Sequence, residues 1–489
     1  MVDVSDTSLK TRLREMVAAW PSECRRALAD NMRSLFAALY PVHCIYVGSL
    51  CAGSDLAIVV MQVFVCVAEL EFGVDLKVNH LWSVENNPIC QRWIRTHFRP
   101  KAMFGDILDA VCDRAYDLLS GCFVPVLTPL IAFCGWVCCD NSRVNPKGPI
   151  DPTSETAYTG RGLVAFADKK RPRFIIGENT FDANLVDASS DDVMASNLAW
   201  MRSALEVLGY FVAVCLLNPK TLGTPQNRSR FYLIAILKVG TAVLYQNLQT
   251  TADMLVAQTQ ITLRPLALYL SKETDEDANA WIESIKATPC AKINGPTRGS
   301  LWKSIHDKRC VEVGMEWPVD EMKFANPINL LYAREKLEPW KLMLGERRHD
   351  ALWTLLGTTK TAFVNLPASE VTIELVHNLS RVKPHEDDVA TCVLPKGMMW
   401  FFKKARVSEP YELFRLQDFD LRECGIRILP LPDGVRRLAR TLARSEGDEW
   451  RLSDVTKLAG NAFNGACLGF SLLIMMTIAP EPVVSMPWQ

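Results

Sequence analysis

The residues of this chain that are able to do chemistry sit just past short apolar runs. The run CIYVGSL (44–50) leads into CAGSD (51–55), where Gly53 lets the backbone approach a ligand closely. VNHLWSVE (78–85) ends in Glu85, and a carboxylate at that point suits bidentate bonding to ribose hydroxyls. KAMFGDI (101–107) carries Asp106 and Ile107, and the aspartate is placed to accept from an adenine amino group. An acid at a strand end serves equally well as a helix cap. Taken together, the two acids point to an adenosine-containing ligand. The patterns GxGxxG and GxxxxGK[ST] are both absent, which disfavours pyrophosphate and triphosphate groups.

A second set of groups lies further along the chain. VLTPLIAFCG (126–135) runs into a loop with Cys134, Cys138, Cys139, Asp140 and Ser142. A cysteine on such a loop is a candidate nucleophile, or simply a small core residue. RFIIGEN (173–179) brings Glu178 to a neighbouring strand end, facing the same cleft. PQNRSR (225–230) runs into the last apolar run, and its Arg228 and Arg230 share one face of a strand. Two arginines there either pair with the protein's own acids or hold a phosphate or a base oxygen.

These groups need a scaffold that brings strand ends together. Apolar runs at 44–50, 78–85, 101–107, 126–135, 173–179, 210–218 and 230–237 alternate with helical stretches. That alternation predicts an α/β fold, a doubly wound and mostly parallel sheet wrapped by helices, with ligands at the carboxyl ends of its strands. Residues 1–43 read as a helical lead-in and 44–240 as the sheet domain. Residues 241–400 read as a second, smaller domain of mixed structure, and 401–489 as a return to helical patterning.

The chain has 489 residues, 49% of them hydrophobic, with 54 Lys+Arg against 55 Asp+Glu. This is a globular composition, and its net charge of -1 excludes attachment to nucleic acid by bulk charge alone. The 16 cysteines contain no CxxC pair and the seven histidines are scattered, so neither a zinc site nor a dithiol redox site is expected, and no metal. The opening residues carry no apolar leader, which predicts reduced thiols in an intracellular setting. The apolar stretches 56–70 and 465–480 fall short of the roughly 18 residues of a membrane span, so core helices and no membrane role are expected.

The order and wording of these motifs resemble the S-adenosylmethionine-dependent cytosine-5 methyltransferase family over residues 44–240 and again over 411–470. CAGSD resembles the family's Phe-x-Gly-x-Gly turn, with Cys51 at the Phe, Gly53 at the first Gly, Ser54 next and Asp55 at the second Gly. SVENNP resembles the ribose-binding motif through Glu85 and Asn86, and GDI the adenine-binding motif through Asp106 and Ile107. CGWVCCDNS resembles the Gly-Gly-Pro-Pro-Cys-Gln-x-Phe-Ser loop, with Cys138 at the nucleophile and Trp136 and Val137 at the two prolines. GENT resembles Glu-Asn-Val through Glu178, and TPQNRSR resembles Gln-x-Arg-x-Arg through Gln226, Arg228 and Arg230. YELFRLQDF and AGNAF resemble the two closing motifs, the latter through Gly460 and Asn461.

The resemblance implies a Rossmann-like class I methyltransferase fold with a target-recognition domain at about 241–400. S-adenosyl-L-methionine is the implied cofactor, bound by Cys51, Gly53, Ser54, Glu85, Asn86, Asp106, Ile107 and Asn461. Cys138, Glu178, Arg228 and Arg230 are the implied catalytic residues, acting on C5 of a flipped-out cytosine in DNA. Lys303, Lys308, Arg309, Arg347 and Arg348 are candidate phosphate contacts or solvated surface charges. The nucleus is the implied location in a eukaryote. Two other readings stay open: an RNA cytosine-5 methyltransferase, whose usual Cys-Phe-Thr signature is absent here, and a catalytically inactive nucleic-acid-binding homologue.

Overall fold

The computed structural model describes residues 8–39, 41–138, 154–180, 196–238, 247–287, 301–312, 315–360, 362–366, 370–375, 384–385, 387–394, 397–430 and 449–479. Cys139, Asp140 and Ser142 of the nucleophile loop lie outside the described residues.

The apolar runs form one seven-stranded sheet. Its strands are numbered here β1 (Cys44–Leu50), β2 (Lys77–Val84), β3 (Ala102–Phe104), β4 (Ile131–Cys134), β5 (Phe174–Thr180), β6 (Tyr210–Leu217) and β7 (Arg230–Leu237). They lie in the order β3-β2-β1-β4-β5-β7-β6. Strand β7 is antiparallel to both neighbours and every other pair is parallel. The central strands read as unbroken apolar runs because both faces are covered: Ile234 and Ile236 pack to one side, Leu233 and Ala235 to the other. The chain winds outward from β1 to β3 and then returns to β4 on the other side of β1. A crevice therefore opens at the carboxyl ends of β1 and β4, the place where such sheets bind ligands.

Helices α3 (Ala57–Phe72), α7 (Leu248–Gln258) and α14 (Gly465–Ile478) cover one face, and α5 (Glu155–Lys170) and α6 (Asn197–Val207) the other. Helix α14 is apolar on all sides because it is enclosed on all sides, and α3 is apolar and buried over its first three turns. The stretch Leu452–Ile478 is long and apolar enough to cross a membrane, and 94% of that window is buried within the fold. Helices α1 (Ser8–Ala19) and α2 (Ser22–Ala38) pack on α3 and α14 through Leu9, Leu13, Met16, Leu28 and Met32. The lead-in is thereby part of the same core. Helices α4 (Pro88–His97) and α12 (Pro410–Arg415) join it where the Trp93 and Phe414 rings stack, their centroids 5.5 Å apart.

Past the expected boundary at residue 240, the chain continues against the sheet. Helix α7 lies against β6, and the Gln249 side chain bonds both the N–H and the carbonyl of Val214, at 2.9 and 3.1 Å. It supplies this edge strand with the partner that a further strand would provide. Beyond α7, helices α8 (Glu276–Ala287), α9 (Leu301–Glu312), α10 (Pro327–Tyr332) and α11 (Lys341–Thr358) accompany a three-stranded antiparallel sheet of Thr372–Glu374, Met399–Phe401 and Arg406–Val407. This region has its own core around Leu337, Trp340, Leu352, Phe363, Trp400 and Phe402. It returns to the main sheet at a bridge between Gln226 and Ala390.

Candidate active site

Three loops are laced together at the carboxyl ends of β1, β2 and β3. The Ala52 N–H donates to the Val84 carbonyl at 3.0 Å, and the Glu85 N–H to that of Phe104 at 3.0 Å. The Glu85 carboxylate closes the row, accepting from the Gly53 N–H at 2.7 Å and the Asn87 N–H at 2.8 Å. Burial pushes this carboxyl above its ordinary value, against the pull of the Asn87 and Gly53 bonds and of Lys457 opposite. Gly53 has φ +57°, and a Cβ there would lie 2.8 Å from the carbonyl oxygen of Asn461, at the end of helix α13 (Leu452–Gly460). Glycine is therefore required both by conformation and by space. Ser54 is fully buried. Its carbonyl accepts from Trp93 Nε1 at 3.0 Å, and its hydroxyl has no partner among the described residues.

Asp106 realises the capping reading: its Oδ1 accepts from the Leu108 N–H at 2.8 Å and starts a short 3-10 helix, Ile107–Val111. The same oxygen accepts from the Tyr158 hydroxyl at 2.8 Å, and that bond pushes the phenol up to about 12. Ile107 is buried against α5 at Gly162. Asn86 is exposed, its amide 3.4 Å from Glu155 Oε1. Cys51 is half-buried, and its thiol is held well above the ordinary value by a hydrogen bond to the Cys134 thiol, by burial, and by Glu85 and Glu155. It is a neutral thiol beside the crevice, not a competing nucleophile.

Asp55, at the end of the same turn, is fully buried. Its Oδ2 lies 2.5 Å from Ser83 Oγ, which in turn is 2.9 Å from His80 Nε2. Burial, with Glu85 nearby, pushes Asp55 up to about 7 against its bonds to Ser83 and Ser49. Burial also pushes His80 down to about 3. The two act in opposite directions on stability. Asp55 keeps in the folded state a proton that the unfolded chain releases near 3.8, so its contribution falls as pH rises from about 4 to about 7. His80 stays neutral where the unfolded chain binds a proton, so its contribution rises from about 3 to its ordinary 6.5. Asp55→Asn removes only the first slope. The melting temperature of the variant should climb relative to the parent between about pH 4.5 and 7. A difference independent of pH would contradict this assignment.

The second cluster gathers on β4, β5 and β7. Antiparallel register sets Thr180 opposite Arg230, so Glu178, two residues earlier, shares a face with Arg230 as a diagonal pair. Arg230 Nε lies 3.0 Å from Glu178 Oε1, with 17% and 14% of the two side chains exposed. Arg230 Nη1 donates to the Ser229 carbonyl at 2.8 Å, and Nη2 to Cys392 Sγ at 3.6 Å. Burial pulls this guanidinium down, but Cys392, Glu178 and Cys138 facing it hold it above its ordinary value. Arg228 is 6% exposed and does different work. It donates to the carbonyls of Val393 at 2.9 Å and Ala462 at 3.3 Å, and reaches that of Gly460 at 3.5 Å. It ties the second region and the last motif to the sheet.

Cys138 is half-buried at the end of the described part of its loop. The loop is fastened on both sides. Asn179 Nδ2 donates to the Trp136 carbonyl at 2.9 Å, and the Val137 N–H to Thr159 Oγ1 at 3.2 Å. Trp136 itself is buried, its ring 5.6 Å from that of Phe231. A Cβ on Gly177 would lie 2.8 Å from the Trp136 ring, so this glycine makes room for the indole.

Residues 160–376 match the family of C-5 cytosine-specific DNA methylases. The chain is also similar to the DNA (cytosine-5-)-methyltransferase DMT5 of Cryptococcus neoformans, with 26% identity over 194 residues, 39% of this chain. Both matches support the C-5 cytosine-specific DNA methylase family over part of the chain. It spans about 7% of the length of that curated relative. Among solved structures it is similar to the Schizosaccharomyces pombe Dnmt2 methyltransferase, at 12% identity and a TM-score of 0.42, over 88% of this chain and 98% of that one. The Entamoeba histolytica methyltransferase EhMeth gives 10% identity and a TM-score of 0.40, over 88% and 97%.

In this chain, the departure at the two proline positions has a physical account. Prolines stiffen a loop through a fixed φ, whereas here the stiffening comes from a buried tryptophan and two hydrogen bonds. Sequence reading singles out neither Trp136 as an anchor nor Thr159, since neither contact is local. Asn461 is exposed at the end of α13 and approaches Gly53 through its carbonyl. In the second region, Lys308 and Arg309 are exposed, Arg309 paired with Glu312 at 3.5 Å. Lys303 lies 3.3 Å from Glu346, and Arg347 reaches the Leu375 carbonyl at 3.4 Å. Arg348 is half-buried.

Proposed function

We propose that this chain transfers a methyl group from S-adenosyl-L-methionine to C5 of a cytosine in DNA, through a covalent bond between Cys138 and C6 of the base. The observation that carries this reading is the meeting of the Glu178–Arg230 pair, at 3.0 Å, with the Cys138 thiol on one edge of the sheet.

The residues present fit the cofactor. Glu85 is held by two backbone N–H groups, and each carboxylate oxygen keeps a lone pair for a ribose hydroxyl. Gly53 offers bare backbone, and the half-buried Cys51 thiol offers apolar surface. The cofactor supplies a methyl group on a cationic sulfur. Cys138 attacks C6 as a thiolate, and the nearby Arg230 charge favours that form. Glu178 takes up a proton from solvent as the base binds, donates it to N3 of the ring as negative charge builds there, and accepts from the exocyclic amine through its other oxygen, which selects cytosine. Arg230 bonds the base O2 and balances the charge. A water or base then removes the C5 proton and Cys138 leaves. A cytosine stacked in a duplex cannot reach this crevice, so the base is flipped out. The region after α7 supplies target recognition, and Arg228 keeps it registered against the catalytic edge.

The test is label transfer from radioactive S-adenosyl-L-methionine to duplex DNA and to RNA of matched sequence, with digestion to nucleosides. The expected product is 5-methylcytosine in DNA. Label only in RNA would replace the substrate, and label in neither would contradict the assignment.

A further inference from the structure

The geometry assigns Cys392 to the active site as a positioning residue: its sulfur keeps Arg230 turned toward Glu178 until a cytosine takes that place, and so sets the affinity for the base. The inference rests on the function proposed above and adds a residue that no motif marks. Cys392 belongs to the second region of the chain, 162 positions from Arg230, yet its half-buried Sγ accepts from Arg230 Nη2 at 3.6 Å and from Arg228 Nη1 at 3.5 Å. Its approach is fixed by backbone. The Asn227 N–H donates to the Ala390 carbonyl at 2.9 Å and the Ala390 N–H to that of Pro225 at 2.8 Å. One residue beyond the sulfur, the Val393 carbonyl accepts from Arg228 Nη1 at 2.9 Å.

Among the described residues Arg230 has three anchors: Glu178 on Nε, the Ser229 carbonyl on Nη1 and Cys392 on Nη2. They are unequal. The carboxylate gives a charge-assisted contact and the carbonyl a full hydrogen bond, whereas a thiol sulfur is a weak acceptor. The sulfur is therefore the partner that a base oxygen displaces at least cost. A stronger acceptor at this point would compete with the base. No acceptor at all would leave the guanidinium free to turn. The residue type at 392 thus tunes how readily Arg230 changes partners, and its position on the second region links that tuning to the segment that reads the target.

Two variants separate this role from plain packing. In Cys392→Ala, Arg230 loses its third anchor, and kcat for methyl transfer should fall about tenfold, with KM for DNA moving less. In Cys392→Ser, the hydroxyl is a better acceptor than sulfur, so KM for DNA should rise about fivefold, with the smaller part of the effect on kcat. Opposite splits of kcat and KM in the two variants, at unchanged melting temperature, are the expected result. The assignment is overturned if both variants keep kcat and KM within about twofold of the parent, or if both lose kcat in step with a lowered melting temperature. A parent protein that methylates neither DNA nor RNA would overturn the functional reading and this assignment with it. An active parent with unchanged variants would overturn this assignment alone.

Discussion

Cys138→Ser is expected to slow methyl transfer at least about a thousandfold, a barrier increase of about 4 kcal/mol, while cofactor affinity stays within about twofold. The size comes from the chemistry. C5 of cytosine is a poor nucleophile until a strong nucleophile has added at C6. A serine hydroxyl is far less ionised than a thiol at neutral pH, and Arg230 cannot close that gap. The other thiol beside the crevice does not substitute, because Cys51 is kept neutral by Cys134, burial and Glu85. Cofactor affinity should hold because Gly53, Glu85 and Asp106 lie just past β1, β2 and β3, apart from the loop after β4. Equilibrium dialysis with labelled cofactor, alongside single-turnover transfer, checks both halves. A variant retaining more than about a tenth of the parent rate would remove Cys138 from the mechanism.

Arg12→Ala carries the second largest expected effect, this time on stability. Arg12 is 2% exposed and its guanidinium bonds Asp418, Thr224 and Tyr269. Burial pulls its pKa down, but Asp418 and Tyr269 hold it above the ordinary value. Asp418 also accepts from Thr224 Oγ1 at 2.6 Å and adjoins Gln417 in the motif segment 411–419. Removing one partner of a buried pair leaves the other charged and desolvated, which typically costs about 3–5 kcal/mol. The urea midpoint should fall accordingly. Arg12→Met combined with Asp418→Asn should recover a large part of the loss, because no charge is then left uncompensated. A loss below about 1 kcal/mol for Arg12→Ala would mean that water reaches Asp418.

Glu85, Asp106, Glu178 and Arg230 are legible in the sequence because a doubly wound sheet gathers the residues that flank its strands at one edge. The pairing of Glu178 with Arg230 is within reach of sequence only as two acids and two arginines facing one cleft, because the deciding fact is the antiparallel register of β5 and β7. The two arginines share a spacing but not a task. Arg230 opens the strand, whereas Arg228 lies before it and meets carbonyls from distant segments. Arg12 falls on the apolar stripe Leu9, Leu13, Met16, Val17, where a charge looks like an interruption until Asp418 arrives from the far end of the chain. Sequence patterning places helix α7 in the second region because its tie to β6 runs through one glutamine side chain, which leaves no periodicity to read. Trp136 and Cys392 are out of reach for the same reason: their partners are set by tertiary contact.

The central claim is the covalent bond to Cys138. The direct test is to mix the protein with S-adenosyl-L-methionine and duplex DNA containing 5-fluorocytosine, and to look for a complex that survives denaturation. Fluorine at C5 cannot leave as a proton does, so the enzyme is trapped once the methyl group has moved. The expected result is a cofactor-dependent complex that maps to Cys138 by peptide mass spectrometry and is absent in Cys138→Ser. A protein that binds cofactor and DNA but forms no such complex, or forms it through another cysteine, would contradict it.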